Sequence, residues 1–104
     1  MAKYVMTWKP HVGGNTADNE ASYKRVLAVF AKWSPPSEPT FHEFLSRADG
    51  QGGYAVVSTD DVAVAAREIA KFTADNEFEL VPVIEIADGV GLGQEAAAFR
   101  DGIS

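Results

Sequence analysis

The chain has no cysteine. Disulfides, thiolate catalysis and cysteine-ligated zinc or iron–sulfur centres are therefore excluded. The lack also fits a reducing cytoplasm, the expected location. Histidine is nearly as scarce. Only His11 and His42 occur, with no ligand spacing between them, so no metal site is expected. Basic residues are few: nine Lys and Arg stand against fifteen Asp and Glu, a formal net charge of −6. With no run of Lys or Arg, the electrostatic footprint of a phosphate-backbone binder is missing, and nucleic acid is not an expected partner. No stretch approaches the ~20 consecutive apolar residues of a membrane span, so no membrane association is expected. Residues 1–6 lead straight into a strand pattern, and their apolar stretch is too short for a signal peptide.

What is present is a globular composition, 46% hydrophobic over 104 residues, read as a single domain spanning 1–104. Residues 3–9 alternate as a strand, with Tyr4, Met6 and Trp8 on one face. Asn15 or Thr16 can cap a helix whose apolar positions are Tyr23, Val26, Leu27, Phe30 and Trp33, and Pro35 ends it. Residues 40–47 and 54–59 read as two strands joined through Asp49-Gly50-Gln51-Gly52-Gly53, a segment rich in residues that accept positive φ, hence an antiparallel hairpin. Thr59 or Asp60 then caps a second helix, with Val62, Ala65, Ala66, Ile69 and Phe72 inward. Residues 78–86 form a fourth strand, which Pro82 restricts to an edge or a bulge. A third helix is expected over roughly 90–100, stopped at Gly102.

The order βαββαβ, with an added C-terminal helix, predicts an α+β, ferredoxin-like fold: a four-stranded antiparallel sheet with the first two helices on one face. The strands are apolar on both sides, whereas the helices can cover only one. An uncovered apolar face of this kind marks an interface or a ligand site, and an identical sheet related by a twofold axis is the simplest cover. A homodimer is expected. A C-terminal helix folded back over its own sheet is the other way to close that face.

The segments Val5-Met6-Thr7-Trp8-Lys9-Pro10, His42-Glu43-Phe44, residues 47–53, Ser58-Thr59-Asp60-Asp61 and Val81-Pro82-Val83-Ile84-Glu85-Ile86 together resemble an uncharacterised family of small bacterial proteins. That family is similar to the dimeric α+β barrel superfamily, which includes antibiotic-biosynthesis monooxygenases and muconolactone isomerase-like enzymes. The resemblance implies two sheets packed into a dimeric α+β barrel, with a small-molecule cavity in each subunit. It implies no particular reaction, because the superfamily holds both enzymes and plain binders.

Simple alternation puts His42 on one strand face with Thr40, Phe44 and Ser46. Imidazole is the commonest acid–base side chain near neutrality, so His42 is the candidate catalytic base for a cofactor-independent monooxygenase-, isomerase- or cyclase-like reaction. The plainer reading is a histidine hydrogen-bonded to backbone. Tyr4, Met6, Trp8, Phe44 and Tyr54 are the candidate residues for holding a small apolar or aromatic ligand. Packing at a dimer interface accounts for the aromatics among them equally well, and a non-catalytic dimeric module is the alternative function. Arg47 is read as a cross-strand partner of Glu79 or Glu43. Gly89-Val90-Gly91-Leu92-Gly93 lacks the third glycine of a dinucleotide fingerprint and reads as a strand-to-helix turn. No cofactor is expected.

Overall fold

The computed structural model describes residues 1–11 and 13–103. The chain runs β1 (Ala2–Pro10), α1 (Thr16–Lys32), β2 (Thr40–Ser46), β3 (Gly53–Thr59), α2 (Val62–Ala70), β4 (Asn76–Val83) and α3 (Ile86–Asp101). The sheet order is β2-β3-β1-β4, and every neighbouring pair is antiparallel. This is the ferredoxin-like α+β arrangement that the element order implies. Pro82 lies opposite Tyr4 on β4, an edge strand, where its missing N–H leaves no inner ladder bond unmade.

The element ends follow local chemistry. Asn15 caps α1, its side-chain oxygen accepting from the Asp18 amide at 2.9 Å. The cap of α2 is Asp61 rather than Thr59 or Asp60. Asp61 Oδ1 accepts from the Ala63 amide at 3.0 Å, while the Thr59 hydroxyl is occupied one step earlier by the Asp61 amide. At the C-terminal end the strand stops at Val83 and the helix starts at Ile86. Glu85 is the extended residue between them. The glycine-rich segment expected as a turn is therefore helical.

Two faces of the sheet follow from the register. Met6 pairs with Ala55 and Tyr4 with Val57; Met6, Ala55 and Val57 form the buried core, with Tyr4, Trp8, Phe41, Ile69, Phe78 and Leu80 packed against it. This is the side that α1 and α2 cover. The other side carries Val5, Thr7, Tyr54, Val56, Ser58, Glu79, Val81 and Val83.

Strand β2 departs from simple alternation. Thr40 and Phe41 pair with Ser58 and Val57, but the next partner, Val56, faces Glu43, so His42 is an extra residue in the strand. Phe41 and Phe44 consequently point the same way, with ring centroids 5.4 Å apart. His42 does not share a face with Phe44 and Ser46, contrary to the alternation; it lies with Thr40 and Ser58 on the uncovered side. A bulge of one residue reverses the parity of everything after it.

Helix α2 is also turned relative to expectation. Its buried residues are Ala65 and Glu68, with Phe72 beyond it buried as well, whereas Val62 is 46% exposed and Ala66 is exposed. The stripe is 65, 68, 69, 72, and a glutamate occupies one of its core positions.

Neither α1 nor α3 has a single buried residue. Helix α1 meets the sheet mainly through Phe30 and Trp33, and Tyr23 and Leu27 remain half exposed. Helix α3 leaves the body of the domain. A compact chain of this length has a radius of gyration of roughly 13 Å, while here it is 18.2 Å, with a longest axis of 61 Å.

Candidate functional site

Aromatic residues from three strands and two helices converge beneath α1. Trp33, at the C-terminal cap of α1, meets Phe30, Phe41, Phe44 and Phe72 edge-on at centroid distances of 5.7–6.2 Å. Trp8 lies 5.6 Å from Phe44 and 6.2 Å from Phe78. Tilted and edge-on pairs at these spacings are favourable beyond their area burial. They enclose a cavity of about 30 Å³, lined also by Met6, Ile69, Glu68 and Asn76. That volume holds about one water molecule.

Phe30 and Asn76 also border an open cleft of about 450 Å³ between α1 and the β2–β3 turn. Tyr23, Val26 and Leu27 of α1 form one wall, and Ser46 with the glycine turn forms the other. Small-molecule sites are typically clefts of ~300–1,000 Å³ with mostly apolar walls and a few placed polar groups. The cleft has that size and that lining.

Two carboxylates hold this region together. Glu68 accepts from the Trp33 indole N–H at 2.7 Å and from the Lys71 ammonium at 2.9 Å. Burial pushes its carboxyl up, but the two hydrogen bonds together outweigh burial and hold it below the ordinary carboxylate value. Asp75 fixes the other end of α1. It accepts from Arg25 Nη2 at 2.8 Å, Arg25 Nε at 3.1 Å and the Ser22 hydroxyl at 2.9 Å. The guanidinium bond chiefly keeps Asp75 below its usual range, against burial and with help from Ser22. The Asn76 side-chain amide donates to the Phe72 carbonyl at 3.2 Å, which fixes this residue at the edge of the cavity.

The expected site residues divide between the two faces. Met6, Trp8 and Phe44 line the aromatic cavity. Tyr4 is on the same face and packs on the core, but it does not border the cavity. Tyr54 is on the uncovered face, beside a broad depression of about 560 Å³ shared with Arg47, Lys9, Glu77 and Glu79. Arg47 is paired with Asp49 in its own turn rather than with Glu79 or Glu43. His42 also lies on that face, its Nε2 2.7 Å from the Ser58 hydroxyl oxygen. Its partner is thus a side chain rather than backbone. The sheet itself separates His42 from Trp8 and Phe44.

Most of the cavity lining is not marked as a site in the sequence: Phe30, Trp33, Phe41, Ile69, Phe72 and Phe78 have the pattern of ordinary core, and Asn76 carries no signal. Glu68 carried a usable signal: it sits where the i, i+3, i+4, i+7 stripe starting at Ala65 calls for an apolar side chain. Among the described residues, no group of three or more His, Asp or Glu side chains is placed to hold a metal ion, and no helix is long and apolar enough to cross a membrane.

Fold and cleft together define a ferredoxin-like α+β domain whose helix layer stands partly open over an aromatic floor. The chain belongs to the family described as Domain of unknown function (DUF3303), which matches residues 2–97. No curated protein matches it. A solved structure similar to this chain is that of SnoaB, a cofactor-independent oxygenase from Streptomyces nogalater. It is 21% identical, over 81% of this chain and 91% of that chain, with a TM-score of 0.38.

Proposed function

We propose that this protein is a homodimer that binds one small, planar, apolar molecule per subunit in the cleft between α1 and the sheet. The observation that carries the reading is the 450 Å³ cleft itself, walled by Tyr23, Val26 and Leu27 and bordered by Phe30 and Asn76, which also line the aromatic cavity. Aromatic edges and faces suit a flat ligand, and Asn76 with Glu68 supplies polar atoms at the inner end. The apolar uncovered face of the sheet supports the dimer. In this reading His42 faces the dimer seam, and any proton transfer it performs concerns a ligand at that seam rather than in the cleft.

The test uses N-phenyl-1-naphthylamine, a neutral aromatic probe, and the emission of Trp8 and Trp33, both of which border the cavity. Tryptophan emission is expected to fall saturably as probe emission rises, with one site per subunit. Leu27→Asp, a change on an exposed cleft wall, is expected to weaken binding by about tenfold or more while leaving the fold intact. Linear, non-saturating quenching that Leu27→Asp leaves unchanged would remove the cleft as a site.

A second reading rests on the smallness of the closed part of the cavity, about 30 Å³. If the cleft closes against α1 rather than around a ligand, the protein is an assembly module. Sedimentation then shows the dimer while the probe finds no site.

A further inference from the structure

Helix α3 carries large apolar side chains and has no burial. Ile86, Val90, Leu92 and Phe99 are each more than half exposed, as is Ile103 just beyond. Although Asp88, Glu95, Arg100 and Asp101 are interspersed among them, a helix with this many large apolar side chains ordinarily packs on another surface. Its intrinsic stability is also poor. Isolated helices below ~12–15 residues are marginal even when rich in alanine. α3 is barely longer and contains Gly89, Gly91 and Gly93, each costing about 1 kcal/mol relative to alanine. Something must hold it helical.

Its own sheet is a poor candidate. Only Ile84 and Glu85 separate β4 from α3, and Lys3 donates to Glu85 at 2.6 Å. That bridge anchors the base of the helix at the β1–β4 end. Beyond that base no residue of the helix is buried against the domain.

We infer that α3 is an exchanged arm that packs on the second copy of this chain. The inference rests on the dimer proposed above and specifies how that dimer is held. Area supports it. A four-stranded sheet face seven residues long covers only ~440 Å² at ordinary strand spacing and rise. A stable interface needs about 800 Å² per partner. One side of a 16-residue helix, ~24 Å long and ~10 Å across, adds about 240 Å², and the total of about 680 Å² falls within the ~600–1,000 Å² per partner of standard interfaces. The sheet face alone makes a weak dimer, and sheet plus arm make a standard one. The face of α3 carrying Leu92, Ala96, Phe99 and Ile103, spaced four, three and four residues apart, is the contact stripe.

Two measurements on the full chain test this. Sedimentation velocity over a dilution series gives the dimer constant, and hydrogen exchange read by peptide mass gives the protection of residues 86–101. The expected result is a dimer whose α3 amides are protected and lose protection on dilution into the monomer. Phe99→Asp is expected to raise the dimer dissociation constant by about 30-fold or more, the scale of an interface hot spot. Because Phe99 is 72% exposed in the single chain, the change does not threaten the subunit fold. A dimer with unprotected α3 and an unchanged constant in Phe99→Asp would overturn the arm while leaving the dimer standing. A monomer at every concentration would overturn the dimer, and the arm with it. A monomer with protected α3 would show the helix on its own sheet, and that too overturns the exchange.

Discussion

Gly52→Ala is expected to leave little folded protein. Gly52 has φ +105°, in a region that side chains rarely enter, and that alone costs about 1–3 kcal/mol for any other residue. Space is the larger obstacle. A Cβ at Gly52 would overlap the carbonyl group of Trp8, which is backbone in the middle of the sheet and cannot turn aside. The hairpin closes at the same point, with the Arg47 amide donating to the Gly52 carbonyl at 2.9 Å. We expect a loss of ~4 kcal/mol or more against the ~5–15 kcal/mol that holds a domain together. Urea denaturation of the variant checks this. Gly50→Ala supplies the comparison, since Gly50 also has positive φ, +76°, but nothing stands within 4 Å of its missing Cβ. It should lose only the backbone term, about 1 kcal/mol. Equal losses in the two variants would show that steric overlap with Trp8 plays no part.

Trp33→Ala is expected to cost about 3–5 kcal/mol, the range for deleting a large packed aromatic. It removes four edge-on ring contacts and also the 2.7 Å donor to Glu68. Trp33→Phe weights the second effect, because it keeps an aromatic ring in the site but loses the N–H along with the pyrrole part of the indole. Its consequence should appear in the pH dependence. Glu68 and Asp75 are both held below their ordinary values when folded. The unfolded chain therefore binds more protons than the folded one between the folded and unfolded pKa values, and stability rises with pH across that window. The contribution is complete above about pH 6, where unfolded carboxyls are fully ionised, and is lost as pH falls through the unfolded and then the folded values. In Trp33→Phe the acid-side slope should be shallower, since Glu68 loses its indole donor. An identical slope in the variant and the parent would mean that the indole donor plays no part in holding the Glu68 carboxyl down.

The order of elements and the hairpin were legible because their signals are local. Asn15 marks a cap, Pro35 a stop and the 49–53 glycines a reversal, and each acts through its own backbone. Pro82 likewise announced an edge strand. What was not legible depends on contacts between distant segments. Nothing in Thr40-Phe41-His42-Glu43-Phe44 reveals an extra residue, since the bulge exists only relative to Val56 and Val57 of β3. That single omission misplaced His42 beside Phe44. Glu68 was passed over because a glutamate on an apolar stripe is acceptable only if donors arrive from elsewhere, here from α1. The extension of α3 back to Ile86 is hidden for another reason: Gly89, Gly91 and Gly93 argue against a helix by propensity.

The bulge at His42 also bears on how the hairpin can vary. Parity along a strand is binary: each residue is either up or down, and one inserted unit inverts all that follow. In the register, Phe41, Glu43 and Phe44 face Val57, Val56 and Ala55 one for one, and His42 is the residue left over. A chain without His42 would therefore keep both phenylalanines on the covered side, in strict alternation. What the extra residue adds is not the facing of its neighbours but an imidazole on the opposite side, 2.7 Å from the Ser58 hydroxyl oxygen. Losing this one position would remove a side chain and leave the aromatic floor in register.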